Sequence, residues 1–301
     1  STKKWQGRAG IRFEQTRLFT QFKDTALQVP DFNNWLPNLL SRYTIDDKNS
    51  LTYSYTTRIA RPYIFYLNPY INYIDSFNIS YGNPNLLPEV THNHTLDYNF
   101  NKRSLFAGIS LVYRRNRQSF EEIRVLRPDK VTETTYQNIG RADMWSLNFS
   151  FRYNPSRKLN LGNTVTVTYV TRNSPALNLE KSGFLWQNSF NGSYRFAKGW
   201  SVESYVYYES RSINLQTTRT DYLFYNLLLT KTLLNEKLNI TFRMDGFFDP
   251  WFYRTTEINS GSFFQTTEYR SINRYFRLAF SWKFGKQDLR TPVTRAAESG
   301  D

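Results

Sequence analysis

His92 and His94 are the only histidines in the 301 residues. At i and i+2 they share one face of a strand, a spacing that suits a pair of metal ligands. The nearest acidic residues in sequence, Glu89 and Asp97, add no third ligand at a useful spacing. Cysteine is absent, which excludes thiolate zinc sites and a disulfide framework. A Ser–His dyad would have to use one of these two histidines, and no serine elbow surrounds either. Glu203, Glu209, Arg195, Arg243 and Asp245 carry groups for acid–base chemistry, but their alternation along strand-like runs reads as the lining of a wet wall. No phosphate loop or dinucleotide fingerprint occurs. These residues predict no enzyme, no cofactor and no metal. The remaining chemistry is aromatic. Tyr63, Phe65, Tyr66, Tyr70 and Tyr73 form one cluster, and Trp251, Phe252 and Tyr253, with Phe263 and Phe264, form another. Such side chains stack on sugars, chelates or peptides, and they equally suit loop packing or an interfacial girdle. They are the candidates for ligand contact.

The elements that position them follow from period-2 alternation. Phe276, Leu278, Phe280, Trp282 and Phe284 occupy one face of the last run, against Arg277, Ser281 and Lys283 on the other. The same split recurs at Trp5, Ala9, Ile11 and Phe13, at Trp145, Leu147, Phe149 and Phe151, and at Leu238, Ile240, Phe242 and Met244. Counting such runs predicts about twelve strands: 4–16, 35–46, 50–59, 91–101, 104–115, 135–153, 158–171, 184–197, 200–210, 220–233, 237–246 and 270–285. They are longer than the 5 to 6 residues usual in soluble sandwiches. Short turns near 46–49, 101–103, 154–157, 197–199 and 234–237 alternate with long connections near 17–34, 60–90, 116–134, 172–182, 211–220 and 247–269. In a membrane barrel the apolar face meets lipid, the charged face lines the lumen, and short turns and long loops sit at opposite ends. The fold class is therefore all-β, a transmembrane antiparallel barrel.

Composition agrees. Mean hydropathy is −0.61, and no stretch approaches the roughly 20 apolar residues of a membrane helix. The chain carries 22 Tyr, 24 Phe and 7 Trp, side chains suited to a surface that is apolar at one depth and wet at another. The net charge of +14 is dispersed, with no run longer than pairs such as Lys3-Lys4, so nucleic acid is not an expected partner. Residues 1–285 are expected to form the barrel region and 286–301 a polar tail. Twelve strands pose a closure problem, because open edges in lipid expose unpaired backbone groups. Either the strands close on themselves as a channel, or further strands come from an N-terminal part that precedes Ser1.

One stretch is distinctive. Tyr53-Ser54-Tyr55 leads into Arg58-Ile59-Ala60-Arg61-Pro62, then Leu67-Asn68-Pro69, then Gly82-Asn83-Pro84-Asn85-Leu86-Leu87-Pro88-Glu89. With Gly10-Ile11-Arg12-Phe13-Glu14, Asn138-Ile139-Gly140 and the ending Ser281-Trp282-Lys283-Phe284-Gly285-Lys286, the sequence resembles TonB-dependent outer-membrane receptors, closest to the outer-membrane β-barrel family common in Bacteroidota. Arg141-Ala142-Asp143-Met144-Trp145 departs from the small or glycine-containing step usual before the central strand. The prolines of the motif remove backbone donors, so it reads as an ordered loop packed on the barrel mouth, with Arg61 and Glu89 able to pair across its base.

The resemblance implies a 22-stranded barrel in the bacterial outer membrane, with long loops extracellular and the short turns and C-terminus periplasmic. It implies uptake of a nutrient or chelate, driven by the TonB system through an N-terminal plug that would precede Ser1. Outer-membrane lipid and lipopolysaccharide are then natural partners. A non-transporting scaffold that binds surface lipoproteins and a self-closed 12-stranded channel are the alternative readings.

Overall fold

The computed structural model describes residues 4–17, 19–22, 25–28, 31–261 and 263–284. The expected tail, 286–301, lies outside the described residues. Twelve long strands form the wall. The first six are β1 (Trp5–Thr16), β2 (Phe32–Thr44), β3 (Asn49–Ala60), β4 (Glu89–Lys102), β5 (Leu105–Leu126) and β6 (Thr132–Tyr153). They are followed by β7 (Leu159–Ser174), β8 (Leu179–Arg195), β9 (Trp200–Glu209), β10 (Tyr222–Leu233), β11 (Leu238–Asp245) and β12 (Tyr275–Trp282). Each pairs antiparallel with its sequence neighbours, in the order β1 to β12.

The register explains the alternation. In β6 and β7, Trp145 faces Tyr169, Leu147 faces Val167 and Phe149 faces Val165, which stacks apolar side chains across strands on one side of the sheet. Little protein covers that side: Trp5, Trp186 and Phe280 remain 65%, 53% and 68% exposed. An apolar face that no protein buries is the face a bilayer covers. The other side is knitted by short polar contacts across strands. Ser146 Oγ meets Thr168 Oγ1 at 2.7 Å, Thr166 donates to Asn148 Oδ1 at 2.7 Å, and Thr232 donates to Asn239 Oδ1 at 2.8 Å.

Turns at one end are tight. Asp46 Oδ1 accepts the amides of Lys48 and Asn49 at 2.8 and 2.9 Å, closing the link from β2 to β3. Between β8 and β9 the chain turns at Lys198 (φ 61°) and Gly199 (φ 76°). A Cβ on Gly199 would lie 2.5 Å from the Thr232 carbonyl oxygen, so glycine is required there.

The opposite end departs from expectation. The segments 116–134 and 172–182 are not long loops: β5 and β6 continue as paired strands to Leu126 and from Thr132, and β7 and β8 meet at a turn over 175–178. Likewise 211–220 and 247–269 contain Ser212–Ile213, Thr217–Arg219, Trp251–Asn259 and Phe264–Ile272, which form a separate four-stranded sheet. The reason is physical. Beyond the membrane no lipid sets one face of a strand apart from the other, so pairing persists while the apolar alternation that reveals it stops. The final strand is also shorter than 270–285.

Among the described residues no ladder joins β1 to β12, which stand at the two edges of the sheet. The self-closed channel expected as one alternative is thus not formed by these strands. An arginine placed at mid-height on each face tests the assignment of sides. In the full-length protein, urea titration in lipid vesicles is expected to show Phe149→Arg destabilised by about 2–4 kcal/mol and Ser150→Arg by less than about 1 kcal/mol.

Candidate functional site

The segment between β3 and β4 carries the distinctive motif, and the fold shows why its residues have those types. After Arg61 the buried Pro62 leads into one helical turn, Ile64–Leu67. Leu67 and Leu86 are fully buried and form a small core with Phe32, against which Tyr66, Phe120 and Tyr136 pack. Tyr66 lies 4.5 Å from the Tyr136 ring and 5.6 Å from Phe120. Backbone contacts fasten the loop to itself. The Gly82 amide donates to the Asn68 carbonyl at 2.7 Å, and the Asn83 amide to that of Tyr66 at 2.6 Å. A Cβ on Gly82 would stand 2.4 Å from the same Tyr66 oxygen. This close approach is what the glycine permits.

Side chains then fasten the loop to the β5–β6 hairpin. Asn83 Nδ2 donates to the Tyr136 carbonyl at 2.9 Å while its Oδ1 accepts the Asn85 amide. Asn138 accepts the Leu87 amide at 2.7 Å and returns a bond to the Leu87 carbonyl at 2.9 Å. The short strand Asn78–Ser80 pairs parallel with β6 from Thr132 to Thr134. Tyr81 donates its hydroxyl to Glu133. That hydrogen bond, with partial burial and the nearby negative charge, pushes the phenol up to about 12, so the donor stays protonated.

Arg61 and Glu89 do not pair. Arg61 donates Nε to Thr16 Oγ1 at 2.9 Å and forms an ion pair with Glu14 on β1. Glu89 accepts the Phe120 amide at 2.8 Å and Asn116 Nδ2 at 3.0 Å. Both residues therefore tie the loop base to neighbouring strands, a role that spacing alone does not distinguish from mutual pairing. Pro69, Gly82, Asn83 and Pro84, with Ile79, Tyr81 and Glu133, line a cleft of about 450 Å³ beside this platform.

The first aromatic cluster divides. Tyr66 packs inward, whereas Tyr63, Phe65, Tyr70 and Tyr73 project to solvent, each more than 60% exposed. In the second cluster the Arg270 guanidinium sits 3.6 Å over the Trp251 ring and 5.6 Å from Tyr253. Arg254 lies 5.1 Å over Phe252. These cation–π contacts order the rings, and Tyr253 remains open with Phe264. In the last strand Phe276, Leu278, Phe280 and Trp282 face Met244, Phe242, Ile240 and Leu238 of β11, while Phe284 extends past the strand. His92 and His94 bond through Nδ1 to the Tyr55 and Tyr53 hydroxyls at 2.8 and 2.9 Å.

Sequence reasoning missed Phe120, Tyr136, Asn116 and Glu133 as the loop's receptors. The signal was present at Asn138-Ile139-Gly140, where the register of β5 against β6 shifts twice. Two measurements probe this docking in the full-length protein. Gly82→Val is expected to free the 61–88 segment for limited proteolysis while the barrel's resistance to unfolding in detergent is retained. Burial raises the Glu89 carboxyl above its usual 4.5, against the opposing pull of the Phe120 amide and Asn116. The docked state therefore binds the proton more tightly than an undocked one. Its stability is fullest below the ordinary carboxyl range and is lost as pH rises through the raised value. Protection of the Phe120 amide, normalised to the intrinsic exchange rate at each pH, should follow that direction, and Glu89→Gln should remove this residual dependence.

The profile of the outer membrane protein beta-barrel family matches residues 1–282. No curated protein matches in sequence. A mutant of the ferric enterobactin receptor PfeA from Pseudomonas aeruginosa, in complex with enterobactin, superposes with a TM-score of 0.64 at 15% identity. That match covers 93% of this chain and 43% of that one. The copper transporter OprC superposes with a TM-score of 0.64 at 12% identity, covering 94% of this chain and 46% of OprC. FpvAI, in complex with pyocin S2, gives 0.57 at 14% identity, covering 86% and 34%. The chain thus spans less than half the length of these proteins, and the likeness concerns the fold. An unburied apolar wall, a polar inner face, a loop motif docked on its mouth and a family match along the wall make this chain a member of the outer membrane protein beta-barrel family of the bacterial outer membrane.

Proposed function

We propose that residues 1–285 are the barrel region of an outer-membrane receptor that takes up a nutrient or chelate, energised by the TonB system through a plug domain. The observation that carries this reading is the open sheet. Its edges, β1 and β12, are unpaired among the described residues, and in lipid an unpaired edge costs several kcal/mol per exposed group. Further strands of a longer chain would close the wall into the larger, 22-stranded barrel and leave a lumen wide enough to hold a plug. Likeness of fold to a ferric enterobactin receptor and a copper transporter supports uptake as the activity.

In this reading the tight turns face the periplasm and the docked loop and four-stranded sheet face outward. Tyr63, Phe65, Tyr70, Tyr73 and Tyr253 are then the rings that meet cargo. The role of the barrel wall in this reading is binding and passage.

The test uses cells that make the full-length protein and a panel of ferric and cupric chelates. Binding of one chelate should persist after a protonophore collapses the proton gradient, while its accumulation stops. Tyr63→Ala combined with Tyr70→Ala should weaken binding about tenfold, the effect of losing a modest hot spot. Accumulation that ignores the gradient would point to passive diffusion. A stoichiometric lipoprotein that co-purifies, with no accumulation of any chelate, would favour the scaffold reading.

A further inference from the structure

The outer face of β4, β5 and β6 is layered in a way the uptake reading does not use. These strands lie inside the sheet order, so further strands added at the edges leave this face uncovered. Registered triplets climb from the tight turns toward the loops. Leu96, Leu111 and Leu147 form an apolar row, and His94, Tyr113 and Trp145 an aromatic row above it. Tyr113 and Trp145 stack at 4.4 Å, and His94 stacks on Tyr113 at 6.0 Å. Above them come His92, Arg115 and Asp143.

At the next step the alternation is broken. Asn116 pairs with Ala142 and Ser119 with Gly140, so Arg117 and Gln118 together oppose the single residue Arg141. Such a bulge re-aims side chains. Here it opens a pocket of about 230 Å³ lined by Val90, His92, Arg117, Gln118 and Arg141.

The charges are unbalanced. Asp143 is the one carboxylate in these rows. It accepts the Tyr113 hydroxyl at 2.7 Å and lies 3.9 Å from Arg115 and 3.8 Å from Arg117. Arg141 has no ion-pair partner among the described residues. The excess is also local, because the residues that flank this row on β3 and β7 are the uncharged Thr57 and Thr171.

We infer that Arg115, Arg117 and Arg141, with His92 at the rim, form a binding site for the phosphate of a lipid headgroup in the outer leaflet. The acyl chains would lie on the leucine row and the headgroup would pass the aromatic row. Guanidinium groups bind phosphate through paired charge-assisted hydrogen bonds, and a lipid is the partner whose apolar and anionic parts are stacked in this order. The choice of leaflet rests on the loop orientation proposed above, while the phosphate chemistry does not.

The test uses the full-length protein in mild detergent, with native mass spectrometry to read bound lipid. The probes are bisphosphorylated lipid A, the same lipid without phosphates, and inorganic phosphate as competitor. Wild type should prefer the phosphorylated lipid by about tenfold, and the Arg115→Gln/Arg117→Gln/Arg141→Gln variant should lose that preference. Arg114→Gln, on the inner face of β5, should keep it. If the triple variant lacks the heat-dependent gel mobility of a folded barrel, Arg141→Gln alone supplies the reading, with a loss of about threefold. Equal binding of both lipids, an equal loss with Arg114→Gln, or displacement by inorganic phosphate alone would overturn the site. Because the assay in detergent is indifferent to orientation, an error in sidedness would show separately, as failure to label a cysteine placed at Tyr73 from outside whole cells.

Discussion

Every backbone amide and carbonyl at the depth of a bilayer must find its partner within the protein, and the rest of this structure is arranged around that requirement. Eleven consecutive antiparallel ladders satisfy it along the wall from β1 to β12. Side chains then take up whatever freedom the ladder leaves. The outer face is left to lipid, so it is built from rings and branched aliphatics. The inner face carries serine, threonine and asparagine contacts that join neighbouring strands.

Where the bilayer ends the requirement relaxes, and the structure changes character. Strands β5 and β6 continue as a hairpin, and a segment with four prolines leans on it. That segment is fastened to itself by backbone atoms at Tyr66 and Asn68, to the hairpin by the side chains of Tyr81, Asn83 and Asn138, and it buries Leu67 and Leu86 with Phe32 of β2. Among the described residues the buried cluster of Phe32, Leu67 and Leu86 is in the docked loop and its seat, since within the membrane the solvent is itself apolar.

This division explains what was legible beforehand. The strand count and the two faces could be read from Trp145 to Phe151 or from Phe276 to Trp282, because lipid imposes a strict alternation on one side. The loop motif was recognisable from Arg61-Pro62 and Gly82-Asn83-Pro84, and the requirement for glycine at position 82 has a visible cause in the Tyr66 carbonyl. The partners of the motif were not legible. Phe120 and Tyr136 lie on strand extensions beyond the lipid, where no period distinguishes a strand from a loop. Nor could spacing reveal that Arg61 turns to Glu14 and Glu89 to the Phe120 amide, since both choices depend on which strands become neighbours. The bulge at Arg117 and Gln118 was hidden for a related reason: a single inserted residue reads as a lapse in alternation.

Seating the mouth loop on inward side chains and a few buried anchors has a consequence for how such a surface changes over generations. The exposed ring at Tyr73 lies outside these contacts, so it can be exchanged without unseating the loop. Substitution at such a position redraws the exposed face while the fastening beneath it is inherited unaltered.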